Sequence, residues 1–496
     1  ANEEKVRLKN AADLMKQGQL VFARGQASRK DATAEYDAAV QLFTLAIALK
    51  PEDAKMYAWR GRCYLAMHSY HHALHEFSSA IDCDSQSAKN YGLRAQCHRM
   101  LGHPREALKN YDEALKLDKE NLSFHFERAD VCIDLEKYHE AIEGFTVALE
   151  RKGTEFQAYV KRGLCYRRVG NLAASIDDLK FAVAIDPNNA DGHNHLGLTN
   201  AEAQDFREAK RNFHNAVELD ATAGYLNNLG LSCYHLGEYD EALDHFRASL
   251  QQVADACVYF NSGNAQCGLG RHEEAVIDYA EAALLDPDPI YPHKQGLACE
   301  ALGKIQDAIL QYEEALLRDR FHHASRFRLG TLCHQDGQFR RALDEFNMLP
   351  VDAALHEARG GLYCDMNDLT CALADFDAVI ELKSEAVHYY RRGVVHHRMG
   401  NEELAIRDFT SALELGSTEG RVYNDRGLAW RASGNISQAV LDFTLAIEAD
   451  PTNTEFLSNR ALSLFDQRLW EGAEDDLSRA LKLRPTAHLL YLRGIT

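Results

Sequence analysis

Small residues return every 33 or 34 positions along almost the whole chain. Gly61, Ala95, Ala129, Gly163, Gly197, Gly230, Gly263, Gly296, Gly330, Gly360, Gly393, Gly427, Ala461 and Gly494 form one series, with a single step of 30 between Gly330 and Gly360. A second series keeps the same beat from Ala73 to Ala473, and Phe, Tyr or Leu stands four residues after each of its members. The segment 422–453 shows what the two series mark. Tyr423, Gly427 and Trp430 share one helical stripe, and Ala439, Phe443, Ala446 and Ile447 share another. A turn at 433–435 separates them, and Pro451 ends the second. The unit is a helix hairpin (helix A, then helix B) whose apolar side is too large for it to bury alone. Such units must stack on their neighbours.

At this period, and with these residue types, the sequence resembles the tetratricopeptide repeat family. The resemblance covers nearly the whole chain. It implies an all-α fold, a right-handed α-solenoid of about fourteen hairpins plus a partial last repeat. It also implies a concave groove lined by helix-A residues, in which protein partners lie.

The repeats fall into four stretches. Residues 1–53 form an atypical first repeat, with helix A expected near 14–24 and a polar insertion at 25–36. Residues 54–189 hold regular repeats with Arg just before the helix-A small residue, as at Arg60, Arg94, Arg128 and Arg162. Residues 190–352 lose that Arg and turn Asn-rich on helix A. They end irregularly: Pro350 stands where helix B of the tenth repeat should continue, so that helix is expected to stop near Leu349. Residues 353–496 return to the Arg type and end in an incomplete repeat, which suggests a piece of a longer protein.

The Arg residues pair with acids sixteen positions on: Arg60/Glu76, Arg162/Asp178, Arg359/Asp375, Arg392/Asp408, Arg426/Asp442 and Arg460/Asp476. Two antiparallel helices would bring these sites together inside one hairpin. Arg94 instead faces Asn110, Arg128 faces Gly144, and Asp278 and Glu345 lack an Arg at that spacing.

Composition narrows the function. The net charge of −20 argues against nucleic acid or an anionic membrane as main partner. The twelve cysteines read as reduced packing residues, seven of them two or three positions past the helix-A small residue. No phosphate loop, dinucleotide turn, nucleophile elbow or Cys-x-x-Cys pair occurs, so no catalytic residue, metal ligand or cofactor is expected. His71/His75, His322/His323 and His396/His397 read as solvated helix faces rather than metal ligands.

Partner-binding residues are therefore sought on helix A of the central repeats: Asn194, His195, Asn227, Asn228, Phe260, Asn261, Asn264, His293, Lys294 and Arg328. Asn228, Asn261 and Asn459 are similar in position to the asparagine ladder in the repeat arm of O-linked N-acetylglucosamine transferase, which holds an extended peptide by its backbone. The Lys and Asn set with which co-chaperones grip an acidic chaperone tail is not reproduced: only Lys89 survives of it. The expectation is a non-catalytic, cytoplasmic protein–protein interaction scaffold, of a length suited to a cytoskeletal or ciliary assembly. The alternative is the substrate-selecting arm of an enzyme whose catalytic domain lies outside this sequence.

Overall fold

The computed structural model describes residues 2–28, 32–151 and 155–495. Among them are twenty-nine α-helices and no strand. None of these helices is long and apolar enough to cross a membrane. The chain divides into two compact units, Ala1–Leu269 and Gly270–Thr496. The first holds seven helix hairpins and the first helix of repeat 8, Ala256–Gly268; the second runs from His272–Leu285 through six more hairpins to Ala487–Ile495. Each unit is an α-solenoid of stacked antiparallel hairpins.

A regular repeat pairs a helix A of thirteen residues, such as Ala223–His235, with a helix B of fourteen, such as Tyr239–Gln252. The three-residue turn between them needs one residue in the left-handed region, here Gly237 at φ 80°. Side-chain caps start many of the helices: Asp205 accepts from the Glu208 N–H at 3.1 Å, and Asn189 from the Gly192 N–H at 3.0 Å. The small residues follow from the helix crossing. A Cβ at Gly230 would lie 2.6 Å from the Phe246 ring, which sits against it and is fully buried. Phe246 in turn shares a core cluster with Ala209 of the repeat before and Val258 of the repeat after. Burying one such ring contributes roughly 1.5–3 kcal/mol, spread over three repeats.

All six expected Arg–acid pairs form. Arg426 donates from Nε and Nη2 to the two Asp442 oxygens, both at 2.7 Å, and Arg460 binds Asp476 in the same way. The third nitrogen reaches into the previous repeat: Arg426 Nη1 donates to Thr410 Oγ1 at 3.2 Å, and Arg60 Nη1 to Thr44 Oγ1 at 3.0 Å. Each Arg therefore ties its own hairpin and the one before it. The exceptions find other acceptors. Arg94 donates to Asn110 at 2.7 Å, and Arg128 reaches back to Asp112 at 2.6 Å. Glu345, without an Arg at the usual spacing, pairs with Arg326 at 2.5 Å.

Two expectations need correction, and one on helix B of repeat 10 holds. The first helix runs from Asn2 to Ala27, far longer than 14–24, and the second begins at Thr33. The polar insertion thus mostly extends two helices instead of forming a loop, and its residues 29–31 lie outside the described ones. The added length is anchored: Ala11 packs with Ala46, Ile47 and Met56, and Arg7 Nε donates to the Leu49 carbonyl at 2.7 Å. In repeat 10, helix B runs Phe339–Asn347 and so stops near Leu349, as expected. Leu349 precedes Pro350 and is kept out of the helical region by it, and Asp352 then caps the next helix A through the Leu355 N–H at 2.8 Å. Finally, His71 and His75 are exposed, but His396 is buried and His397 binds Glu402 at 2.6 Å. His322 is likewise no bare surface group: it caps His323–Gln335 and binds the Ser325 hydroxyl at 2.8 Å.

Candidate functional site

Seven of the ten expected site residues lie in the first unit and three in the second. In the first, helices Ala190–Glu202, Ala223–His235 and Ala256–Gly268 present their amides side by side. Asn228 Nδ2 donates to Asn194 Oδ1 at 2.9 Å, and Asn261 Nδ2 donates to Asn227 Oδ1 at 3.0 Å. Each bond joins neighbouring repeats. Among the described residues the Asn228 Oδ1 and the Asn194 Nδ2 have no partner, so each pair keeps both acceptor and donor groups on the helix-A face. The same pairing recurs in the second unit, where Asn459 Nδ2 donates to Asn424 Oδ1 at 2.9 Å.

Phe260, Asn261 and Asn264 are half-buried on the same helix. Half-buried His195 has its Nδ1 enclosed without a partner among the described residues, and burial pushes its pKa down. Beside Asn228 the face opens into a cavity of about 340 Å³, bounded by Leu198, Leu231, Phe206 and His235. Phe206 and His235 stack there with ring centroids 4.4 Å apart.

In the second unit, His293 is buried and bonds through Nδ1 to the Ser325 hydroxyl at 2.9 Å. Arg328 is held by the Glu300 carboxylate, to which its Nε donates at 3.0 Å, so its charge is already matched. Lys294 is half-buried and has no ion-pair partner among the described residues. Sequence reasoning missed the wall beside these residues. A cavity of about 460 Å³ is bounded by Leu297, Phe327, Leu349, Pro350 and Leu355. The short step between Gly330 and Gly360 and the proline at 350 were its traces in the sequence.

One cluster has metal-ligand chemistry: a ligand atom each from Cys233, Glu241 and His245 lie within 4.8 Å of one another. A cation is already present. The Lys210 ammonium donates to Glu241 and to Glu238, both at 2.8 Å, and burial pushes the Cys233 thiol up to about 12. The cluster is thereby explained as a salt bridge between repeats 6 and 7.

Comparison with known proteins accords with this geometry. A model described as tetratricopeptide repeat matches residues 194–257, 293–354 and 424–488, and a second of the same description matches 156–189, 258–289 and 389–415. Together they cover more than half of the chain. The chain belongs to the tetratricopeptide repeat family. As such an array it is built as a scaffold for protein–protein contact. Residues 83–146 also match the model of anaphase-promoting complex, cyclosome, subunit 3.

Among curated proteins, heat shock protein STI1 of Saccharomyces cerevisiae is 31% identical over 97 residues, 19% of this chain and 16% of that protein. The Protein SGT1 homolog of Homo sapiens is 29% identical over 97 residues, 20% of this chain and 26% of that one. The matches thus span about a quarter or less of these relatives. Among solved structures, the tetratricopeptide repeat protein YrrB, described as having an unusual peptide-binding site, is 23% identical. That alignment covers 36% of this chain and 92% of YrrB, with a TM-score of 0.35. A chain of the Cut9–Hcn1 hetero-tetramer is 15% identical, with 94% and 96% covered and a TM-score of 0.37.

Proposed function

We propose that this chain is a non-catalytic scaffold that holds an extended segment of a partner protein along the helix-A face of repeats 6–8. The observation that carries the reading is the pair of inter-repeat amide bonds, Asn228 to Asn194 and Asn261 to Asn227. Each bond fixes the orientation of two amides, so their remaining donor and acceptor are set before a ligand arrives. A peptide backbone offers the complementary groups at every residue, whatever its side chains. Each contact contributes only about 0.5–1.5 kcal/mol, so several must act together. Phe260 and the cavity beside Asn228 add apolar surface to the same face. The length of the array suits a cytoplasmic role in a cytoskeletal or ciliary assembly.

Cross-linking mass spectrometry on the full chain, captured with its partner from native cytosol, tests the reading. Cross-links should concentrate on helices Ala190–Glu202, Ala223–His235 and Ala256–Gly268. Replacing Asn228 and Asn261 together by Ala should weaken the captured partner about tenfold or more. Because both amides also bridge repeats, a small fall in melting temperature is expected beside it. Unchanged affinity would sink the amide reading, and cross-links confined to helix B would place the partner on the other face.

A further inference from the structure

The second and the ninth residue after the helix-B small residue are exposed in every repeat. In most repeats both are charged, as in Lys109 and Lys116, Arg211 and Glu218, or Arg407 and Glu414. Repeats 8 and 9 alone carry a large apolar side chain at both: Ile277 and Leu284 on His272–Leu285, and Leu310 and Leu317 on Ile305–Arg318. All four stand in solvent, at 61%, 80%, 59% and 81% exposure. Their helices pack through the opposite side, with Ala275 and Tyr279 buried in one and Ala308 and Tyr312 in the other. The exposed stripe is therefore no part of the stacking core, and apolar surface of this kind marks a contact site when it is contiguous.

The two helices are held side by side at both ends. Lys304, at the N-cap of the second, lies 3.7 Å from Glu273 of the first. At the other end Arg318 donates from Nη2 to the Ala283 carbonyl at 3.1 Å and from Nη1 to the Asp286 carbonyl at 3.3 Å. The four apolar side chains thus share one patch. Acids alternate with them along each stripe at one spacing: Glu274 and Glu281 on the first helix, Asp307 and Glu314 on the second. Glu314 is met by Arg318 at 3.0 Å, and the other three have no ion-pair partner among the described residues. Together the two helices carry one arginine and no lysine against seven acids.

We propose that a basic amphipathic helix of a partner protein docks on this helix-B face, its apolar stripe on the four side chains and its flanking lysines or arginines against the acids. Anchors seven residues apart on each helix match the spacing of a helical ligand's own stripe. Affinity comes from burying side chains that stand in water, and the acids select the charge of the partner. A second copy of this chain meets the face poorly, because it would bring the same acids opposite them. The surface is separate from the amide-lined helix-A face and does not rest on that reading.

Fluorescence anisotropy on the full chain tests this with two fluorescein-labelled peptides of identical composition. One places leucine on a single helical stripe and lysine elsewhere, and the other is a scramble without a stripe. The striped peptide should bind about tenfold tighter or more, as expected for burial of leucine side chains. Leu284→Glu with Leu317→Glu should abolish that preference. Circular dichroism and melting temperature should stay as in the parent, since both leucines already stand in solvent. The double change adds negative charge, so attraction of lysine by charge alone would instead tighten binding. Glu281→Lys should weaken the striped peptide about tenfold. Leu441→Glu, at the position of Ile277 in repeat 13, where the ninth residue is Glu448, should change nothing. Equal affinity for the two peptides, no binding of either, or tighter binding to the double variant overturns the proposal. So does a parent that sediments as a dimer when the double variant sediments as a monomer, because the face then belongs to a second copy.

Discussion

At His293 the groove position has become a core position. The ring is 8% exposed and is tied to Ser325, and it faces His322, Lys294 and Arg328. Burial, aided by the Lys294 and Arg328 charges beside it, pushes its pKa down to about 4. In the unfolded chain the same group titrates near its ordinary value of about 6.5. Between those limits the unfolded state takes up a proton that the folded ring refuses. Stability is therefore full above about pH 6.5 and falls as the pH drops through the window, by up to about 3 kcal/mol. Urea unfolding at about pH 7.5 and about pH 5 measures it. His195, His245 and His396 are also pushed down by burial, so the comparison must be with His293→Asn, which does not titrate. The variant should lose less stability on acidification than the parent. An identical pH dependence would show that the folded ring takes up its proton as readily as the unfolded one, and would overturn the burial argument.

Element by element, the packing stripes were legible because each is written within one hairpin. The seven cysteines placed by spacing on the helix-A stripe, such as Cys165, Cys233 and Cys333, are the seven that are buried. Burial also pushes Cys63 and Cys97 up to about 12, far from the reactive thiolate. Alkylation of the native protein should accordingly reach exposed Cys83 and Cys257 first and leave those seven unlabelled until denaturant is added; rapid modification of all twelve would contradict the packing. The Arg–acid pairs were legible for the same reason, since a spacing of sixteen fixes two sites on antiparallel helices. What was not legible crosses from one repeat to the next. The Thr410 and Thr44 ends of the arginine ties, the Asn194 and Asn227 ends of the amide bonds, and the Glu300 grip on Arg328 depend on how hairpins stack, and one hairpin's pattern does not encode that. The wall at Leu349 is a third kind of case. Pro350 announced the end of a helix, but the space left behind depends on the helices that do not move in to fill it.

At the scale of the whole molecule, stability in a stacked array is a sum of single repeats and their interfaces with neighbours. Arg426 enters both terms, through Asp442 in its own hairpin and Thr410 in the one before. The Asp442 side chain is only 5% exposed. Arg426→Leu would leave that carboxylate buried without its bidentate partner, at a cost of about 3–5 kcal/mol. Lysine cannot reproduce the two parallel bonds, so Arg426→Lys should recover only part of the loss. Because coupling runs between neighbours, the loss should stay local. Hydrogen exchange should quicken in Glu402–Glu414, Gly420–Ala432 and Ile436–Ala449, the helices that the side chain ties or sits in. The helix Tyr239–Gln252 in the first unit should exchange as in the parent. If exchange instead quickens evenly along the chain, the array unfolds as one cooperative body and the nearest-neighbour account is wrong. If it does not change at all near repeat 13, the pair is solvated decoration and sets neither register nor stability.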